Sequence, residues 1–427
     1  MINDIKKKYK VWEVFEYEKV SEEFVLSAGD TSPNPQTKKI KSTSVRYSDM
    51  EKYGFFAFEK SGKDRVSGKS IPEPLIEEKL SIPRVKVSKK FTLGEKKKWK
   101  SKEVVMELTS IIKQKADFKV IVDKIVCGKT TEKRKIINSF GVKLEEEKNY
   151  FFIYGSVGGE KNGESQIVYF SESYLSPDKI DIRKICDEIL NDFSFGNGKI
   201  ESGKYNIVLP PKISAQFIEF IVQNFCGDRL VKGNSRFSIK DIGKKIFGDN
   251  IFICEIVEPK SFSQIKDEMK FNRGLRFFDD EGGVKNNFYL INGGVIENFF
   301  TDEKTSEILG IKNTRCSMRQ NHLALPSQYF SALALLPGKI KREDAEKMPK
   351  TLYVSEIIGL HTGDEVRGNF SVGCRGYVLN SRQPFKTAVI SGNIFEILKD
   401  AVLFSDFKVC GNIGTPSIMF QDVEVSS

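Results

Sequence analysis

The chain has 427 residues, 39% hydrophobic and 30% charged, so apolar side chains suffice for packed cores and wholesale disorder is excluded. At about 150 residues per domain, this length is worth two to three domains. The net charge of +10 taken alone points to nucleic acid or an anionic membrane. Its position weakens that reading: residues 1–100 hold 23 basic and 15 acidic side chains, and the rest of the chain is close to balanced. Lys outnumbers Arg 53 to 15, and Lys lacks the planar fork that grips phosphate in a bidentate way.

The first ten residues are polar and basic with no apolar run behind them, unlike a secretion signal. No stretch approaches the ~20 apolar residues that span a bilayer. Seven cysteines are scattered without a Cys-x-x-Cys pair, which suits buried, reduced thiols in a cytoplasmic protein.

Residues 1–83 read as a small α+β domain. Trp12–Tyr17 alternates like a strand, Gly54–Phe58 resembles a buried one, and Gly29–Lys41 has the composition of an exposed loop. Residues 84–101 are a Lys-rich connector, most basic between Arg84 and Glu103. Residues 102–197 form the middle domain. A helix is expected over Lys102–Gln114, then strands 118–127, 131–138, 142–154 and 165–173 as a meander, then a helix over Asp178–Phe193. Gly128-Lys129-Thr130 and Phe140-Gly141 supply turns in that meander. The loop 196–203 separates this unit from residues 203–427. There a strand Tyr205–Leu209 and a helix Ile213–Phe225 precede Gly-rich strand-turn-strand sequence, a helix at Asn393–Leu403 and a terminal strand at Ser417–Val425. The expected class is α+β, with a large antiparallel C-terminal domain, barrel- or sandwich-like, and a few helices.

Candidate chemistry is sparse. The two histidines, His322 and His361, lie 39 positions apart, so no helix can present paired imidazoles to zinc. Cys316 with His322, or Cys374 with His361, could in principle form a thiolate couple, but neither sits in a nucleophile turn. Gly155–Gly159 and Asn292–Gly294 read as turns, because no helix N-terminus follows to meet a phosphate. Asp279-Asp280-Glu281 reads as a solvated turn. No catalytic and no metal-binding residue is assigned.

Several stretches together resemble the TldD/PmbA family, the "modulator of DNA gyrase" proteins related to a bacterial two-subunit metalloprotease. They are Leu352–Tyr377, Ile390–Leu398, Phe278–Gly282 followed by Leu290–Val295, Gly411–Ser417 and Ser202–Leu209. The resemblance is specific over 200–427, holds by pattern over 115–200, and over 1–83 rests on position alone. In the family, the metal-bearing partner carries His-Glu-x-x-x-His on the first helix of the last domain. Aligned on Gly227-Asp228 and Gly233–Ser235, that motif falls on Ile218, Glu219 and Gln223, so both imidazoles are absent. Cys410 lies near the position of the partner's Cys ligand.

The resemblance therefore implies the TldE/PmbA-like subunit, with no cofactor of its own and zinc in a TldD-like partner. The lone chain would be inactive, and the complex would act on peptides or unfolded chains. His361, Gly363 and Glu219 are the cleft candidates. The alternatives are a stand-alone homodimeric peptide-binding or regulatory protein and a nucleic-acid-associated modulator. The motifs favour a protein partner over nucleic acid or membrane.

Overall fold

The structure is a computed structural model, and it describes residues 1–59, 71–196 and 198–427. Part of the expected N-terminal unit (60–70) and Asn197 of the expected loop 196–203 lie outside the described residues.

After helix α1 (Ile2–Lys8) come strands β1 (Val11–Ser27), β2 (Asn34–Ser48), β3 (Tyr53–Glu59) and β4 (Val87–Leu93). Helix α2 (Ser101–Lys115), strands β5 (Lys119–Asn138), β6 (Val142–Lys161) and β7 (Glu164–Tyr174), and helix α3 (Ile182–Asp192) follow. All seven strands form one sheet of order β3-β2-β1-β5-β6-β4, with β7 also on β6.

This sheet departs from the sequence expectation in four ways. First, 118–127 and 131–138 are a single 20-residue strand, β5, paired on one side with β1 and on the other with β6. Gly128 makes no turn there; a Cβ at that position would lie 2.5 Å from the Glu22 carbonyl oxygen, so the glycine marks a close strand approach. Second, Gly155–Gly159 lies inside β6, paired with both β5 and β7. Third, the Lys-rich stretch 84–101 contains β4, parallel to β6 from Val87↔Val142 to Leu93↔Lys148, and with β1 paired to β5 the hydrogen bonding runs unbroken from the N-terminal unit into the middle one. Fourth, most of Gly29–Lys41 is the exposed start of β2, held in register by β1. Composition marks exposure there, and pairing decides the conformation.

Successive side chains alternate between the two faces of the sheet. On the outer face, α1 covers Val14, Val45 and Tyr47 at one end, while α2 and α3 cover Leu26, Ile125, Ile153 and Val157 at the other. The inner face packs on the C-terminal region, where Phe15, Ile136 and Leu144 meet Phe278.

The C-terminal region begins with β8 (Gly203–Leu209), α4 (Pro211–Val222), α5 (Gly227–Val231), β9 (Ile253–Glu255), α6 (Lys266–Met269), β10 (Phe288–Asn292), β11 (Val295–Ile296) and α7 (Glu303–Leu309). It continues through β12 (Ser317–Arg319), β13 (Pro326–Gln328), β14 (Leu333–Leu335), β15 (Thr351–Ile358), β16 (Asn369–Val378) and β17 (Pro384–Asn393). The last elements are α8 (Ile394–Ile397), β18 (Val402–Leu403), β19 (Lys408–Cys410), β20 (Ile413–Thr415) and β21 (Ile418–Ser426). The order β17-β16-β15-β8-β21, with β21 pairing back to β17, closes a five-stranded barrel. A second sheet runs β11-β10-β9-β14-β20-β19. The α+β class with a barrel-like C-terminal domain is therefore as the sequence suggests. The helix expected over Asn393–Leu403 is shorter: only Ile394–Ile397 is α-helical, and Val402 pairs with Met419 instead. All seven cysteines are free and six are buried. No helix among the described residues is long and apolar enough to cross a membrane.

Candidate functional site

Helix α4 opens on Pro210-Pro211, which suits a first turn whose N–H groups have no helical partner. Its apolar side is buried against the barrel, where the Phe217 ring meets Phe370 at 5.1 Å and Phe420 at 5.4 Å, both edge-on. The opposite stripe, Lys212, Gln216, Glu219 and Gln223, follows helical spacing and carries the accessible polar groups.

The positions that the family motif would occupy differ sharply. Ile218 is 1% exposed in the core. Glu219 is exposed and accepts a hydrogen bond from the Tyr329 hydroxyl, which also meets the Gln223 side chain. Burial and then the Glu219 carboxylate push the Tyr329 phenol above its ordinary pKa, so it stays a neutral donor. The Tyr329 ring stacks on Phe330 at 4.3 Å. Cys410, on β19, has its thiol pushed up to about 12 by burial. One engaged carboxylate beside a buried isoleucine does not fit a zinc ion, which takes four N, S or O ligands. Among the described residues, no group of three or more His, Cys, Asp and Glu is placed to hold a metal ion.

The other cleft candidates lie close by. His361 sits exposed in the turn Leu360–Thr362, and no hydrogen bond joins it to Glu219. A Cβ at Gly363 would lie 3.1 Å from the Phe220 ring and 3.0 Å from the Asn369 carbonyl oxygen, so this glycine lets the turn press against α4. The same loop is held by Asn224 Nδ2 donating to the Glu365 carbonyl oxygen at 2.6 Å and by Arg229 paired with Glu365 at 2.6 Å. Gly363 thus shapes the loop, and His361 is left at its tip. The two Cys–His couples do not form: Cys316 and Cys374 are buried with thiols pushed up to about 12, while His322 bonds Glu59 at 2.6 Å and His361 has no bond to either thiol.

A groove opens beside α4. Strand β15 pairs with β8 only over Thr351–Tyr353, so the edge of Ser355–Ile358 that continues beyond β8 has no strand partner among the described residues. Opposite it runs β7, whose Tyr169 carbonyl accepts Lys212 Nζ at 3.1 Å. Between them lies a cavity of about 150 Å3, lined by Ile167, Tyr169, Lys212, Gln216, Glu356 and Ile357.

Asp279-Asp280-Glu281 is not a solvated turn: the three residues are 1%, 4% and 4% exposed. They enter the inner face of the N-terminal sheet. Asp280 Oδ1 accepts Arg134 Nη1 at 2.5 Å, and Glu281 Oε1 accepts Arg46 Nη1 at 3.1 Å. Arg134 also holds Glu146 at 2.7 Å, Arg46 holds Glu13 at 2.6 Å, and Arg319 reaches Glu13 at 3.3 Å. Burial opposes ionisation of Asp280, but Arg134, Arg276 and Arg319 hold its carboxyl below the usual range. Asp279 lacks such a partner, and burial pushes it up to about 6; Glu281 is pushed well above the carboxylate range for the same reason, even beside Arg46. A buried pair of Lys285 Nζ and Glu255 Oε1 at 3.0 Å lies deeper in the C-terminal region. Sequence reasoning missed all these partners because Glu13, Arg46 and Arg134 look like ordinary members of alternating strands. The one available signal was the Phe278–Gly283 context around the acidic run, where an aromatic and two glycines hug it tightly.

The comparisons with known proteins agree with this architecture. The sequence profile of the PmbA/TldA metallopeptidase C-terminal domain matches residues 202–427. An uncharacterised protein of Methanocaldococcus jannaschii is 27% identical over 295 residues, which is 67% of this chain and 65% of that protein, just under two thirds of its length. The crystal structure of TldE from Thermococcus kodakarensis has a TM-score of 0.81 at 18% identity, covering 100% of this chain and 99% of that one. A candidate modulator of a DNA gyrase from Thermotoga maritima has a TM-score of 0.78 at 18% identity with both chains fully covered. A similar protein from Bacteroides thetaiotaomicron scores 0.77 at 16% identity, covering 100% and 97%. With the C-terminal match spanning more than half of its residues, this chain belongs to the TldD/PmbA family.

Proposed function

We propose that this chain is the metal-free, TldE/PmbA-like subunit of a cytoplasmic two-subunit peptidase, whose TldD-like partner carries zinc, and that it presents extended peptide along the β15 edge. The observation that carries the reading is the state of α4: Ile218 is buried in the core, and Glu219 is engaged by Tyr329 where the family's metal motif would stand. The unpaired edge of β15 supports the binding half, because an extended peptide can add to such an edge through its backbone whatever its sequence. Many exposed lysines of the N-terminal sheet are paired with glutamates across strands, as Lys90–Glu145 and Lys41–Glu18 illustrate, which supports a protein partner over nucleic acid.

The test is zinc analysis and proteolysis of the purified chain, alone and co-expressed with a chain bearing His-Glu-x-x-x-His. Alone, it should hold no stoichiometric zinc and leave unfolded casein intact; together, the two chains should co-purify and cleave it. Zinc binding at one equivalent, or cleavage by the lone chain, would overturn the proposal. A stable homodimer that binds peptide and ignores the second chain would favour the stand-alone reading.

A further inference from the structure

The groove beside α4 does not end at its small cavity. Asp192, Lys212 and Ser355 also line a second cavity of about 1010 Å3, between α3 and the barrel. One wall of it is aromatic. The Tyr353 and Tyr377 rings stack at 4.8 Å and 16°, with the Arg382 guanidinium 4.7 Å over Tyr377, and Val208 and Leu379 add apolar surface.

The charges around this cavity sort into used and unused groups. Lys408 is paired with Glu172 at 2.6 Å and Glu188 at 2.5 Å, and Lys212 with Asp192 at 3.3 Å. Asp406 accepts from the Ser417 backbone N–H and hydroxyl, and Asp187 is paired with Lys115. Arg183, Lys184, Lys341 and Arg342 have no ion-pair partner among the described residues. On the acidic side Asp181 is taken up as the N-cap of α3, which leaves Glu343. The unspent charge is therefore positive, and Arg342 lines the same cavity as Tyr353. Burial and the neighbouring Tyr377 raise the Tyr353 phenol above its ordinary pKa, so it remains an uncharged donor beside that cation.

We infer that this cavity is the specificity pocket of the groove: it takes an aromatic side chain of an extended peptide against the Tyr353–Tyr377 pair, while Arg342 holds a carboxylate next to that side chain. The inference rests on the peptide-binding reading above and names which peptides the groove selects. Stacking supplies the apolar contact, and a guanidinium supplies two N–H groups to a carboxylate. That carboxylate comes either from an acidic side chain or from the peptide's own C-terminus.

The test is fluorescence anisotropy of the full chain with labelled hexapeptides. The first probe is Ala-Ala-Phe-Glu-Ala-Ala with an amidated C-terminus, compared with versions replacing Phe by Ala or Glu by Gln. The second is Ala-Ala-Ala-Ala-Ala-Phe as free acid and as amide. Loss of the aromatic ring should weaken binding by about tenfold, and loss of the carboxylate in whichever probe carries it by about as much. Arg342→Gln, at an exposed position, should abolish the carboxylate preference without affecting the neutral peptides. Tyr353→Leu should abolish the aromatic preference. If all peptides bind alike and Arg342→Gln changes none, the pocket assignment falls while the groove stands. If none binds, the peptide-binding reading falls and the pocket with it.

Discussion

On the outer face of the N-terminal sheet, Lys90, Glu145, Lys135 and Glu16 form a row across β4, β6, β5 and β1, at 3.0, 3.7 and 3.9 Å between successive partners. One layer beneath, on the inner face of the same strands, Glu13, Arg46, Arg134 and Glu146 also meet across strands, but there Asp280, Glu281 and Arg319 of the C-terminal region complete the set. Both faces set basic against acidic side chains, the inner pairs at 2.5–3.3 Å and the outer ones at 3.0–3.9 Å. They differ in water: Lys90 and Lys135 are 78% and 39% exposed, whereas Arg134 and Glu146 are 3% and 1% exposed. In water a pair at these distances gains little, because the dielectric screens it and two long side chains must be ordered. Out of water each charge has lost its hydration, so its partner becomes indispensable. One face is a solubilising surface, and the other clamps the sheet to the domain that carries the groove.

The sharpest way to break this contrast is to remove one inner partner. Asp280→Ala leaves the buried Arg134 with Glu146 and the Phe278 carbonyl oxygen and strips the acceptor from the Arg319 backbone N–H. It should lower the unfolding free energy by about 3–5 kcal/mol in a denaturant titration. The double substitution Arg134→Met with Asp280→Leu should recover most of that loss, since no charge is then left unpaired. A loss under about 1 kcal/mol for Asp280→Ala would mean that the inner pairs hold nothing.

A second test separates paired from unpaired carboxyls on the inner side. Asp279 is held at about 6 by burial, above the 3.8 of an ordinary aspartate, so the folded state keeps its proton to higher pH than the unfolded state does. Between about pH 4 and pH 6 the folded chain binds more protons, and stability falls as pH rises through that window. Asp280, held low by its arginines, acts in the opposite sense: its contribution is complete above pH 4 and is lost on acidification. Asp279→Asn keeps an oxygen to accept the Glu281 and Gly283 N–H groups. It should flatten the fall between pH 4 and 6 and raise stability at pH 7 by about 1–3 kcal/mol. A slope unchanged from the parent protein would remove Asp279 as its source.

These contrasts also show how far the sequence could be read. Local patterns placed α2, α3, α4, β8 and β21 within a few residues, because each has a clear apolar period and all but α2 have a Pro or Gly near a boundary. They could not join β4 to β6 or carry β5 through Gly128, since strand partners far apart in sequence decide both. The loss of metal ligands was legible at Ile218 and Gln223, because a ligand is a property of one residue. The burial of Asp280 was not, because its partner Arg134 lies 146 residues away and nothing in either local sequence says which face of a strand is dry. Tyr329 was hidden in the same way: its hydroxyl reaches Glu219 across 110 residues of chain.

The smallest expected effect completes the comparison, and its size is what makes it informative. Lys135 touches Glu145 at 3.7 Å and Glu16 at 3.9 Å, and all three side chains reach solvent. Lys135→Ala should therefore change stability by no more than about 0.5 kcal/mol in dilute buffer, and the difference should vanish near 1 M salt, where the Debye length shrinks to about 3 Å. The cost of Asp280→Ala should persist in the same salt, because the water and ions that screen the outer row do not reach Arg134. Equal salt sensitivity of the two variants would mean that the inner face is wet, and the distinction between the faces would then rest on geometry alone.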